Sequence, residues 1–200
     1  AAEAPSPTIW VVTGTDIPRL LEKAVALAGG WSGLIPKGGK VTLKPNAAWA
    51  STPEQGANTH PELVRAFCAA ARAAGAASVV LPEIPCSPAD KAFSMSGIEA
   101  AAQAAGARLY RPQKETEFRT LAIPQGVAIR EARVPADVLE TDCLVNMPVA
   151  KTHGGATLTL SMKNWMGSDQ YRGKWHQKNL HTCIVDFSSV IRPSLIIIDA

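Results

Sequence analysis

The chain has 200 residues, 46% hydrophobic and 18% charged, with a formal net charge of +3. That length suits one α/β domain over residues 1–200 with a substantial core. No apolar run approaches the roughly 18 residues of a membrane-spanning helix, so no span is expected. The charge is unevenly placed. Between Cys143 and Val185, Lys151, Lys163, Arg172, Lys174 and Lys178 meet a single acid, Asp169. A local excess of this kind points to one anion-binding patch and argues against nucleic acid as partner.

The N-terminus reads "AAEAPSP" without Met, as a mature end does after signal-peptide cleavage, so export to the periplasm or exterior is expected. Short apolar runs then alternate with helical patterns. Strands are expected at 8–13, 40–43, 78–81, 107–110, 143–147 and 194–198, and helices at 16–28, 61–74 and 96–105. Pro61 suits a helix start, and Gly75 and Gly106 suit helix stops. The alternation predicts an α/β fold with a mostly parallel sheet flanked by helices. Residues 117–134 break it: Pro124, Gln125 and Gly126 lie between two alternating runs, which predicts a β-hairpin insertion. The last run, "SLIIIDA", reads as a buried strand with nothing after it to cover it, so the chain is expected to lack a C-terminal part.

In open α/β sheets, ligands bind beyond the carboxyl ends of the strands. The expected strands deliver polar residues there: Lys44 and Asn46, then Glu83, then Asn146 followed by Lys151-Thr152-His153, and finally Asp199. Lys44 and Lys151 would hold an anion as point charges, and Asn46 and Asn146 would orient it. Glu83 and Asp199 would pair with the lysines, take a proton or hold a cation. The plainer alternative is a partly buried Lys44–Glu83 pair that braces two strands. "GLIPKGGK", residues 33–40, lacks the phosphate-loop register and precedes a strand, so it is read as a turn.

The stretch 161–181, "SMKNWMGSDQYRGKWHQKNLH", carries the most chemistry. On a helix over 157–167, Leu158, Met162 and Trp165 would form a core-facing stripe, with Asn164 on a polar one and Lys163 at its flank. A basic, aromatic loop with Tyr171, Arg172, Lys174 and Trp175 is expected next, then a helix from about Asn179 to Ser189. His153, His176 and His181 are metal-ligand candidates, but a five-residue spacing does not align the last two on one helix face. Cys68, Cys86, Cys143 and Cys183 are scattered without a C-x-x-C. A metal ion or iron–sulfur centre would therefore need thiols gathered by folding.

Together the elements K-P-N (44–46), K-T-H (151–153), L-T-L-S-x-K-N (158–164) and I-D-A (198–200) resemble the bacterial and archaeal "domain of unknown function 362" family, over residues 40–200. The resemblance marks Lys44 to Asn46, Lys151 to His153, Lys163, Asn164 and Asp199 as family positions. It also implies twin-arginine export, and a chain that continues past the I-D-A element. A looser likeness to nickel-pincer lactate racemases is one of fold alone.

The expected function is an exported protein that binds an anionic small molecule or cofactor, with or without a metal. The cleft would be lined by Lys44, Asn46, Glu83, Asn146, Lys151, His153, Asn164, Arg172 and Asp199. If the protein is an enzyme, Lys151 or Lys163 would stabilise negative charge, and His153 or His176 would move protons. Two alternatives stay open: a metal or iron–sulfur redox protein, and a non-catalytic assembly module that self-associates through the Tyr171/Trp175 loop.

Overall fold

The computed structural model describes residues 8–200. The first expected strand, 8–13, is absent. Residues 8–13 run outside any sheet, with Ile9 87% and Val11 82% exposed. β-branched composition suits a strand, but a strand forms only where a neighbouring edge supplies pairing, and none lies beside this segment among the described residues.

Helix α1 (Ile17–Leu27) begins where the Asp16 carboxylate accepts the Arg19 N–H, and it buries Leu21 and Val25. A single helical turn, α2 (Trp31–Leu34), leads to strand β1 (Lys40–Pro45). Helix α3 (Pro61–Ala73) buries Leu63, Val64, Phe67, Cys68 and Ala71, one stripe at helical spacing. Strand β2 (Ser78–Pro82) follows. The expected helix at 96–105 is α5 (Ile98–Ala104), preceded by an unforeseen α4 (Ala89–Met95). Gly97, at φ +71°, separates the two helices. Strand β3 (Arg108–Tyr110) comes next.

The hairpin insertion is present as β4 (Phe118–Ala122) and β5 (Glu131–Pro135), paired antiparallel from Phe118↔Pro135 to Ala122↔Glu131. A Cβ on Gly126 would lie 1.9 Å from the Ile129 carbonyl oxygen, so this turn needs glycine. A helical turn, α6 (Ala136–Leu139), joins the hairpin to strand β6 (Cys143–Met147). Then come a small hairpin, β7 (Lys151–His153) and β8 (Thr157–Thr159), the short helix α7 (Ser161–Asn164), α8 (Leu180–Ser188) and the two-residue strand β9 (Leu195–Ile196).

The main sheet is entirely parallel, in the order β3-β2-β1-β6-β9. Its central strands are buried on both faces, as their continuous apolar runs require. Alternate residues of β6 serve different cores. Val145 and Met147 join α1, α3 and α5 on one face, while Leu144 joins Trp165, Trp175, α8 and the β4–β5 hairpin on the other. The Asp186 carboxylate of α8 accepts the backbone N–H groups of Val127, Ala128 and Ile129, which pins the hairpin tip to that second core. The expected strand at 194–198 narrows to β9 plus a single bridge from Val149 to Asp199, with Ile196 and Ile198 half-exposed. It is an edge strand, not a buried one.

From β1 the chain passes outward through β2 to β3, then returns to the other side of β1 as β6. The strand order therefore reverses between β1 and β6. That is where a parallel sheet opens a crevice at its carboxyl edge.

Candidate functional site

At this edge the pairing register sets Lys44 beside Asn146 and Pro45 beside Met147. Asn164, projected inward by α7, fills the gap. Its Nδ2 donates to Asn146 Oδ1 at 2.8 Å and to the Lys44 carbonyl at 3.1 Å. Its Oδ1 accepts from Asn46 Nδ2 at 3.1 Å, and Asn46 Oδ1 accepts from Lys151 Nζ at 3.1 Å. Asn146 Nδ2 donates to the Ser161 carbonyl at 2.9 Å, which holds α7 over the crevice. Three asparagines and Lys151 thus form one connected network, each amide using both its donor and acceptor ends.

Lys44 and Glu83 lie beneath it. Both are buried, Nζ to Oε2 is 2.7 Å, and the same oxygen accepts the Ala47 N–H. Burial lowers the Lys44 pKa, and the Glu83 charge opposes that shift. This is the bracing pair of the plainer reading, and it occupies Lys44 fully. Glu83 Oε1 has no hydrogen-bond partner among the described residues and lies against Gly167, where an added Cβ would come within 2.0 Å of it. Gly167 is therefore a close-approach glycine inside the 3-10 turn Trp165–Ser168 and not a helix stop.

Lys151 and Lys163 differ from Lys44. Neither has a carboxylate within ion-pair distance among the described residues. The Lys151 ammonium donates to Asn46 and to the Ala57 carbonyl, both neutral. Burial first, then repulsion from Lys163 and Lys44, brings its pKa down to about 8, with Cys86 and Glu83 acting the other way. Burial and the Arg172 charge lower Lys163 as well, against an opposing pull from Cys86. His153 is lowered by burial and by Lys163, His176 and Lys151. Its ring stacks with that of His176 at 6.4 Å, and its Nδ1 accepts the Gly155 and Ala156 N–H groups.

Of the residues expected to line a cleft, Asn46, Asn146, Lys151 and Asn164 are bonded together, with Lys44 and Glu83 directly below. Arg172 reaches the same edge, but its guanidinium is bonded to the carbonyls of Ile84 and Pro85, so it clamps the loop after β2. Asp199 accepts the His60 N–H at 2.8 Å and braces the start of α3. His181 lies in the first turn of α8, on an exposed position. Among the described residues no three of His, Cys, Asp and Glu gather into a group suited to a metal ion. All four cysteines are free thiols, and Cys86 alone is exposed.

The expected helix over 157–167 is wrong. Residues 157–159 are strand β8, and the helix covers only Ser161–Asn164 before a 3-10 turn, Trp165–Ser168. Leu158 and Met162 are consequently about half-exposed, and of the expected stripe only Trp165 is buried. β-branched threonines alternating with leucine suit a strand here, because Lys151–His153 offers an edge to pair with. Trp175 is also not a surface residue. It is 1% exposed, its Nε1 donates to Asp169 Oδ2, and it packs on Phe187, so it cannot serve an assembly surface with Tyr171.

Two contributors were not foreseen. Thr59 Oγ1 accepts the Asn46 N–H and donates to the Met147 carbonyl, tying the two strand ends together. Cys86, on the loop after β2, is close enough to Lys44, Lys151 and Lys163 that a thiolate there would favour their charged forms. Following that strand end three residues past Glu83 would have found it.

Residues 41–200 match the family described as "Domain of unknown function (DUF362)". A curated relative, the thylakoid-associated protein sll1697 of Synechocystis sp., is 23% identical over 180 residues, covering 86% of this chain and 54% of the relative. The chain thus spans about half the length of that protein. Among solved structures, the lactate racemase apoprotein from Thermoanaerobacterium thermosaccharolyticum is similar over 66% of this chain and 31% of that one, with a TM-score of 0.43 and 11% identity. No helix among the described residues is long and apolar enough to cross a membrane.

Proposed function

This chain belongs to the DUF362 family, and we propose that its β1/β6 crevice binds an anionic small molecule or cofactor. The observation that carries this reading is the uncompensated charge of Lys151 and Lys163. Two partly buried ammonium groups with no carboxylate partner among the described residues raise the cost of the empty site, and a bound anion offsets that cost. The asparagine network fixes where the Lys151 ammonium points, so the anion would meet a positioned charge.

If the bound molecule reacts, Lys151 and Lys163 stabilise negative charge that develops on it, and His153, with His176 stacked beside it, accepts a proton. The depressed pKa of His153 favours the neutral, accepting form at pH 7. Export remains part of this proposal through the family resemblance, and fractionation of cells expressing the complete gene product tests it.

The test of binding is calorimetric titration of the protein with small carboxylates and phosphates. The proposal expects saturable binding of at least one of them, lost in Lys151→Gln, which keeps a neutral donor near Asn46. Binding that Lys151→Gln leaves unchanged would refute it.

A further inference from the structure

The basic residues of 161–181 do not all face the crevice. Lys174 and Lys178 lie with Arg130 and Arg133 around a separate cavity of ≈ 220 Å³, floored by Trp175 and Asp169. We infer that this cavity is a second anion site, shaped for a small oxyanion the size of free phosphate and independent of the proposed crevice.

The cavity is preformed. One carboxylate staples its wall to its floor. Asp169 Oδ1 accepts the Arg133 and Tyr171 N–H groups at 3.2 Å, and Oδ2 accepts Trp175 Nε1 at 2.7 Å. The Gln170 N–H donates to the Arg133 carbonyl at 2.9 Å, and Lys178 Nζ reaches across to the Ala128 carbonyl at 2.9 Å. The 169–175 turn is therefore tied to strand β5, and Lys178 to the hairpin turn at Ala128, whether or not the cavity is filled.

Its cations outnumber its acids: Arg130, Arg133, Lys174 and Lys178 line it with Asp169 and Glu131. Among the described residues, Arg133 alone of the four cations has a carboxylate partner, Glu115 at 2.8 Å. Arg130 donates to the Pro124 carbonyl, Lys178 to that of Ala128, and Lys174 sits 4.7 Å from the centroid of the Tyr171 ring. On the acidic side, Asp169 is committed to three N–H donors, and Glu131 is exposed. An excess of cations around a concavity concentrates anions there. Size narrows the class: ≈ 220 Å³ lies below the roughly 300–1,000 Å³ of sites for drug-sized ligands. Arginine forks and lysine point charges together suit an oxyanion.

The test is a titration of the full chain with inorganic phosphate at constant ionic strength, followed by amide NMR shifts. Saturable shifts are expected at residues 131–133 and 171–175. Lys174→Gln with Lys178→Gln, both at exposed positions, should weaken binding at least fivefold, whereas Lys151→Gln should not weaken it. Three results would overturn the inference: no saturable shift at those amides at millimolar phosphate, a double variant that binds like the parent, or shifts confined to residues 46, 151 and 164. The last would report the crevice instead. Failure here leaves the crevice proposal standing, because the two sites share no residue.

Discussion

Lys44 and Glu83 form an ion pair 2.7 Å long and essentially sealed from water, at the carboxyl ends of adjacent strands β1 and β2. Such a pair contributes little net stability, yet removing one partner strands the other charge. Glu83→Ala is expected to lower unfolding free energy by about 3–5 kcal/mol, read from denaturant midpoints. Lys44→Met with Glu83→Leu should recover most of that loss, and a double variant as unstable as the single would show that the pair itself is stabilising.

Gly167 should resist substitution for a reason unrelated to backbone freedom. A methyl group there overlaps Glu83 Oε1, and the pair beneath cannot retreat without breaking its bonds to Lys44 and Ala47. Gly167→Ala is expected to cost about 1–3 kcal/mol, the usual range for overpacking. Thermal unfolding alongside Gly173→Ala, where the added methyl meets open space, provides the comparison.

Asp186 should govern the acid side of the stability curve. Burial would raise its pKa, but the backbone N–H groups of Val127, Ile129 and Ala128 outweigh that and hold it below its ordinary value. A carboxyl depressed in the fold contributes stability that is present above its unfolded pKa and lost as pH falls through the folded one. Asp186→Ala is expected to cost about 2–4 kcal/mol at neutral pH and to flatten the acid limb, since three buried or half-buried amides lose their acceptor. Hydrogen exchange at residues 127–129 should accelerate selectively.

Lys151 should titrate near 8, far below a surface lysine. The folded value lies under the unfolded one, so the burial cost is fully present below about pH 8 and is relieved as pH rises toward the unfolded pKa. Anion affinity at the crevice should run the opposite way and fall as pH rises through the same value, because the ammonium is lost. Reductive ¹³C-methylation and NMR titration of Lys151 read the midpoint directly, and a value above about 10 would contradict the desolvation argument.

The segment 8–13 should be thermodynamically silent in this chain. Ile9→Ser and Val11→Ser are expected to shift stability by less than about 0.5 kcal/mol, since both side chains are already in solvent.

Legibility in the sequence followed the range of the interactions. The strand at 143–147 and the helix at 61–74 carry their own periodicity, and their ends were visible within a residue or two. The polar residues Asn46, Asn146 and Lys151 were found by a rule about strand ends, and they meet because β1 and β6 are neighbours. Segments whose state depends on a distant partner misread. "TIWVVT" looks like a strand but lacks an edge, while "TLT" fits a helical stripe because its pairing with Lys151–His153 is invisible in a linear scan. Trp175 resembled an interface residue until its indole N–H met Asp169, six positions away in sequence but across a turn in space. Lys44 has the residue type and strand-end position of an anion ligand, yet Glu83 already neutralises it. Burial, not residue type, separates it from Lys151.

The most direct test of the anion-binding claim purifies the full gene product from its native source, denatures it, and identifies released small molecules by negative-ion mass spectrometry. Wild-type protein should release an anionic compound in near-stoichiometric amount, and folded Lys151→Gln and Lys163→Gln proteins should release far less. If the wild type and both variants release the same compounds in the same amounts, or none at all, the crevice is not an anion site.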